Sequence, residues 1–165
     1  LIARLRERIP DIALRTTLLV GYPGETEADI EELEQFVREV RFERLGVFPY
    51  SEEEGTYSAL NLKDDVSEEE KQRRADRIML AQADIAEQSN LRYEGRTLRA
   101  IVDGREGDYY VARTEYDSPD VDQVILIPAA ERRLRRGCFY DVHITGADGY
   151  DLYGEVNAPA RKKGR

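Results

Sequence analysis

The sequence predicts an α/β segment followed by an all-β module, and three observations predict it. Residues 16–25, TTLLVGYPGE, form an uninterrupted apolar run that breaks at Gly21-Tyr22-Pro23-Gly24 and leads at once into a helical pattern. A second short apolar run, LGVFPY at 45–50, follows that helix, so strand, helix and strand succeed one another. From Tyr93 onward the apolar period falls from helical to two.

Each element follows from its residues. Residues 1–9 place Ile2, Leu5 and Ile9 at helical spacing, and Pro10-Asp11 ends the helix. Residues 13–20 form a strand expected to be buried on both faces, as unbroken apolar runs in parallel sheets are. Thr26 is an N-cap for a helix over 26–40. Glu27 and Asp29 suit its positive end, and Ile30, Leu33, Val37 and Val40 form one stripe. The second strand, 45–50, carries Pro49 near its end, where the missing N–H is tolerated. A long crossover makes the two strands parallel in a right-handed βαβ unit.

Residues 51–65, SEEEGTYSALNLKDD, read as an acidic loop. Ser67 and Glu70 form a capping-box pair for a helix running to about Leu91. Its apolar positions are Ile78, Leu80 or Ala81, Ile85 and Leu91. Its length and charge predict an exposed connector between domains. Five short strands follow, over 97–103, 109–114, 124–127, 139–145 and 150–155. They predict a five-stranded OB-like barrel. The predicted domains are 1–66, the connector 67–92, the barrel 93–157 and a polar basic tail 158–165, expected to be disordered.

Bulk properties narrow the function classes. In 165 residues the net charge is −9, with −5 on the barrel and +4 on the tail. An acidic body does not suit nucleic acid but does suit a basic protein partner. No apolar run is long enough to cross a bilayer and no signal peptide is evident, so a cytoplasmic protein is expected. One cysteine, Cys138, excludes an intrachain disulfide and a cysteine-ligated cluster held by this chain alone. The chain begins at Leu1 without an initiator methionine, so a fragment or processed chain is expected.

The motifs have bland and sharp readings. The GYPGET loop serves as a strand-to-helix turn, or as a site whose free backbone N–H groups attract carboxylates or phosphates beside Glu25. Cys138 reads as a small core residue and His143 as an outward barrel position. Tyr93, Tyr109, Tyr110, Tyr116, Tyr140, Tyr150 and Tyr153 read as packing residues, or as a base-stacking face. Arg132, Arg133, Arg135 and Arg136 form a solvated turn or a phosphate contact.

LRTTLLVGYPGETEADIEELEQFV followed by RFERLGVFPYSEEEGT resembles the end of the radical S-adenosylmethionine barrel of the methylthiotransferases. Residues 50–56, YSEEEGT, are similar to that family's Tyr-Ser-x-x-x-Gly-Thr pattern. Glu52 stands where Pro or Arg is common. The barrel module resembles a TRAM domain. RTEYDSPDVD at 113–122 and ITGADGYDLYGE at 144–155 resemble the RimO branch, which modifies an aspartate of a small-subunit ribosomal protein.

The resemblance implies the last βαβ portion of a partial TIM-like barrel, a connector helix and a TRAM barrel that docks the protein substrate. It implies S-adenosylmethionine as cofactor and two 4Fe-4S clusters in the full-length enzyme, with ligands outside this chain. The expected chemistry is reductive cleavage to a deoxyadenosyl radical, hydrogen abstraction and methylthio insertion, which this fragment alone cannot perform. No catalytic or metal-binding residue is expected within it.

Thr17, Gly21, Gly24, Glu25, Tyr50 and Ser51, at or near strand ends, are the candidate cofactor contacts. Asp117, Asp120, Asp122, Asp148 and Asp151 are the candidate docking residues for a basic ribosomal protein. Exposed barrel edges lead to the expectation of self-association. Two alternatives stand beside this reading: a transfer-RNA methylthiotransferase of the same family, and a non-enzymatic RNA- or protein-binding TRAM module.

Overall fold

The computed structural model describes residues 1–130 and 132–156. The basic tail at 158–165 lies outside the described residues. Two compact units divide inside a long helix, the first spanning Leu1–Ala86 and the second beginning at Glu87.

In the first unit the elements are α1 (Ile2–Arg8), β1 (Arg15–Val20), α2 (Glu27–Val40), β2 (Arg44–Pro49), α3 (Tyr57–Asn61) and most of α4 (Glu68–Leu91). β1 and β2 pair in parallel, with Leu18 opposite Val47 and Leu19 opposite Phe48. Thr26 and Asp29 form a reciprocal capping box at the start of α2. α2 ends at Arg41, whose left-handed backbone turns the chain toward β2. Leu18 and Val20 of β1 pack with Leu45 and Val47 of β2, Ile30, Leu33 and Val37 of α2, and Ala75, Ile78 and Ile85 of α4.

Two expectations are corrected here. The strands are covered on one face only. Leu19 is 51% and Phe48 60% exposed on the opposite face, because α2 and α4 both pack on the same side. Nor is α4 exposed, although the boundary between the two units does fall within it. Ile78, Ala81 and Ile85 are buried, and so are Lys71, Arg74 and Gln82, while Leu80 and Leu91 face solvent. Ala81, not Leu80, therefore takes the core position. The loop before α4 also contains the short helix α3, capped by the Thr56 hydroxyl on the Ala59 N–H.

The second unit is a closed barrel of β3 (Thr97–Glu106), β4 (Tyr109–Arg113), β5 (Ile125–Pro128), β6 (Phe139–Asp148) and β7 (Asp151–Val156), in the order β3-β4-β5-β7-β6. Each strand lies within three residues of its expected bounds at either end. All pairings are antiparallel except β5 with β7. Ala100, Val102, Ala112, Ile125, Ile127, Val142, Ile144 and Leu152 alternate inward and fill the core. Irregularities at Val102/Gly104 and Ile144/Gly146 bend β3 and β6 enough to close the barrel. His143 is half-buried between fully buried Val142 and Ile144. Cys138 is a half-buried free thiol whose backbone carbonyl accepts the Val102 N–H.

Candidate functional site

Two places gather the candidate residues, one in each unit. The first is the rim at the carboxyl ends of β1 and β2. β1 leads into Gly21 and β2 into Tyr50, whose N–H bonds the Val20 carbonyl at 2.8 Å. Gly21 takes φ +78°, the left-handed region that favours glycine. α4 lies beneath and sends two buried cations upward. The Arg74 guanidinium bonds Glu25 Oε1 at 2.7 Å and the Glu25 carbonyl at 3.0 Å, and also Glu70 Oε1 at 2.8 Å. Lys71 Nζ bonds Asp64 at 2.6 Å and Glu68 at 2.7 Å, 5.3 Å from the Tyr50 ring centroid.

These contacts overturn the free-amide reading of the GYPGET loop. The Gly21 N–H donates to Glu25 Oε1 at 2.7 Å, and the Gly24 N–H to Asp65 Oδ1 at 2.9 Å. The Glu25 N–H donates to the Tyr22 carbonyl, and the Thr26 N–H to Asp29. Carboxylates of the chain itself occupy the cradle, so an external phosphate would meet negative charge there. Glu25 is tied down by Arg74 and Gly21. The Tyr50 ring is buried against Tyr22 edge to face at 5.2 Å, with its hydroxyl on Ser58 Oγ at 2.9 Å. Ser51 is exposed just past β2, but Thr17 is not at a strand end as expected: it lies in the middle of β1, on its uncovered face opposite Gly46. Tyr22, Asp65, Lys71 and Arg74 also shape the rim, and sequence reasoning missed them. Only the helical offset of three between Lys71 and Arg74 hinted that one face of α4 is cationic.

Three carboxylates near this rim are held in the charged form. Glu70 falls to about 2 because the Arg73 and then the Arg74 guanidinium bond it. Asp29 is lowered chiefly by the Thr26 hydroxyl, and Asp64 chiefly by Lys71. Groups with depressed folded values contribute stability above their ordinary pKa and lose it as pH falls through the folded one. The stability read by urea denaturation and helical circular dichroism is therefore expected to keep this contribution above the usual carboxylate range and to lose it as pH falls from there toward about 2.

The second place is a groove on the barrel of about 620 Å³, lined by the carboxylates Asp103, Glu106, Asp120, Asp122 and Asp151, the apolar Val111, Val124 and Leu126, and the cations Arg113 and Arg136. Arg113 pairs with Asp103 at 2.8 Å. Three candidate docking residues meet here. Asp120 is exposed, whereas Asp122 accepts the Ser118 N–H and Asp151 the Val124 N–H. Asp148 is exposed but does not line the groove. Asp117 is buried. Its carboxylate accepts the Thr114 N–H and hydroxyl, which makes it a structural element of the loop and not a surface charge. Of the tyrosines, Tyr110 is buried, Tyr109 and Tyr153 stack edge to face, and the Tyr140 hydroxyl accepts the Arg135 N–H. Arg132, Arg133, Arg135 and Arg136 are all exposed.

Comparison with known proteins gives a consistent picture. The TRAM domain family profile matches residues 95–156. The chain is 51% identical over 156 residues to the ribosomal protein uS12 methylthiotransferase RimO of Phocaeicola vulgatus, covering 94% of this chain and 36% of that protein. It is 49% identical over 166 residues to the protein of the same name from Christiangramia forsetii, covering 100% of this chain and 37% of that protein. The Parabacteroides distasonis protein of that name is 51% identical over 156 residues. The chain thus spans little more than a third of the length of the curated relatives it matches.

Proposed function

Since the chain belongs to the RimO family of ribosomal protein uS12 methylthiotransferases, we propose that it is the C-terminal, substrate-gripping part of an enzyme that adds a methylthio group to uS12. The observation that carries this reading is identity near 50% across essentially the whole chain, including both rim motifs and the barrel. The finer proposal is that an aspartate side chain is modified by radical S-adenosylmethionine chemistry in the cytoplasm. Among the described residues no helix is long and apolar enough to cross a membrane.

The family implies S-adenosylmethionine and iron–sulfur clusters in the full-length enzyme. A cluster does not fit this chain. Among the described residues no group of three or more His, Cys, Asp or Glu is placed to hold a metal, and the sequence has one cysteine. Cluster thiolates must come from elsewhere in the full-length protein. The rim does suit S-adenosylmethionine, an amino-acid-bearing nucleoside without phosphate. At the strand ends it offers the exposed hydroxyl of Ser51 and the exposed ring of Tyr22, with the exposed Thr17 hydroxyl farther back along β1. In this reading Thr17 and Ser51 face the ligand, with Gly21, Gly24, Glu25 and Tyr50 forming the frame. When bound, S-adenosylmethionine supplies the radical and the methyl group.

The barrel groove supplies the docking surface. Ribosomal proteins are basic, and a groove lined by carboxylates and apolar side chains accepts lysine and arginine side chains, stems and charges together. The test of function is reconstitution of the full-length protein with uS12. Mass spectrometry should find one methylthio group on an aspartate of uS12, and its absence in an enzyme with loaded clusters would overturn the assignment.

The test of docking uses Asp120→Asn with Glu106→Gln, which remove charge without disturbing the loop bonds of Asp117, Asp122 and Asp151. The affinity for uS12 is expected to fall about tenfold at low salt, and the difference to shrink as salt rises. Equal affinities at every salt concentration would exclude the groove. A transfer-RNA substrate is the second reading. Arg99 over the exposed Phe139 ring at 4.8 Å is a feature that suits a nucleic acid. Tight RNA binding by the full-length protein would favour it.

A further inference from the structure

We propose that Lys71 is a positioning residue for the ligand-binding rim, fixing the carboxyl ends of β1 and β2 in the arrangement that S-adenosylmethionine binding requires. The proposal rests on the reading that this ligand sits over those strand ends. Lys71 is 1% exposed, the largest fully buried side chain in the described chain. It stands on a helix whose next turns, through Ala75 and Ile78, are anchored in the core. From there it reaches the residue after β1, the ring after β2 and the loop before α4. Its stem lies against Gly21 so closely that a Cβ there would sit 2.3 Å from Lys71 Cγ. Its ammonium lies near the Tyr50 ring at the end of β2 and pairs with Asp64 of the returning loop. The next residue of that loop, Asp65, holds the Gly24 N–H. One side chain thus couples the residues after both strands to the loop that precedes α4.

Packing alone does not explain an ammonium in this place. A leucine or methionine would fill similar space without the desolvation that a buried charge costs. What the charge adds is a directional tie to Asp64, and through Asp65 to Gly24, that an apolar side chain cannot make. A group on a rigid helix that holds the frame of a site controls ligand geometry, so loosening that frame weakens binding.

The experiment uses the full-length protein as wild type, Lys71→Met and Asp64→Asn. Equilibrium dialysis reads S-adenosylmethionine affinity, a separate titration reads uS12 affinity, and hydrogen exchange follows residues 21–24. Lys71→Met keeps the stem and removes the charge. Asp64→Asn is a milder change at a half-buried partner, and it keeps the test decisive if the first variant does not fold. The expected result is a loss of S-adenosylmethionine affinity of about tenfold in Lys71→Met, with a smaller loss in Asp64→Asn. Exchange at 21–24 should be faster, and uS12 affinity should stay within about twofold. Unchanged S-adenosylmethionine affinity in folded variants would overturn the proposal. So would a parallel loss of both affinities, which marks a general fold defect. A wild-type protein that fails to bind S-adenosylmethionine would overturn the underlying reading itself, before any variant is compared.

Discussion

Replacing Arg74 by methionine is expected to destabilise the first unit by about 3 kcal/mol. The guanidinium is nearly buried and satisfies both Glu25 and Glu70. Its removal leaves the Glu25 carboxylate, itself only 14% exposed, facing the Gly21 N–H without a counter-charge. Breaking a buried pair by deleting one partner costs about 3–5 kcal/mol, because the stranded charge keeps its desolvation penalty. The lower end applies here, since Glu70 reaches solvent and also pairs with Arg73. Urea denaturation followed by helical circular dichroism reports this unit, which holds nearly all the helix. A companion Glu25→Gln in the Arg74→Met background should recover part of the loss, because the charge is then removed with its partner. A loss below about 1 kcal/mol would show that water reaches Glu25 and screens it.

The barrel was legible because its signal is redundant. Alternation of Val, Ile, Leu and Tyr with polar residues fixes which face turns inward, and Gly, Pro and Asp mark the turns. A shift of one residue would put every core side chain in water. The same clarity placed Thr26 at the α2 cap. The misreading of α4 has a clear cause: hydropathy treats a charged residue as exposed. Lys71, Arg74 and Gln82 line the buried face of α4, where their stems pack and their heads are paired, so composition turned a core helix into a solvent-exposed strut. The helix α3 has five residues, too few for a period to show.

The loop amides illustrate the limit of local reading. Glu25 is four residues from Gly21, and its folding back onto that N–H could have been anticipated from a carboxylate at the start of a helix. The partner of Gly24 is Asp65, forty-one positions away, and nothing local to Gly24 announces it. Asp117 was legible in principle. Thr114 and Asp117 stand three apart beside Ser118-Pro119, the spacing at which a short side chain bonds nearby backbone, and that bond draws the carboxylate inward.

Gly21→Ala is expected to cost about 3 kcal/mol, for two reasons that can be separated. A residue with a Cβ pays about 1–2 kcal/mol in the left-handed region that Gly21 occupies at φ +78°. The new methyl group also falls 2.3 Å from Lys71 Cγ and 3.0 Å from Lys71 Cβ, an overpacking worth about 1–3 kcal/mol. Lys71 cannot swing away, because its ammonium is tied to Asp64 and Glu68 and its helix is fixed in the core. Gly24 is the natural control. It takes φ +84° with open space where a Cβ would be, so Gly24→Ala should show the conformational cost alone. The double variant Gly21→Ala, Lys71→Ala removes the obstructing stem, and its loss should be smaller than the sum of the single losses by about 1–2 kcal/mol. Additive losses would mean that the loop yields and the lysine does not confine it. Strong coupling would place Gly21 and Lys71 in one mechanical unit, with the glycine there because the lysine lies against it.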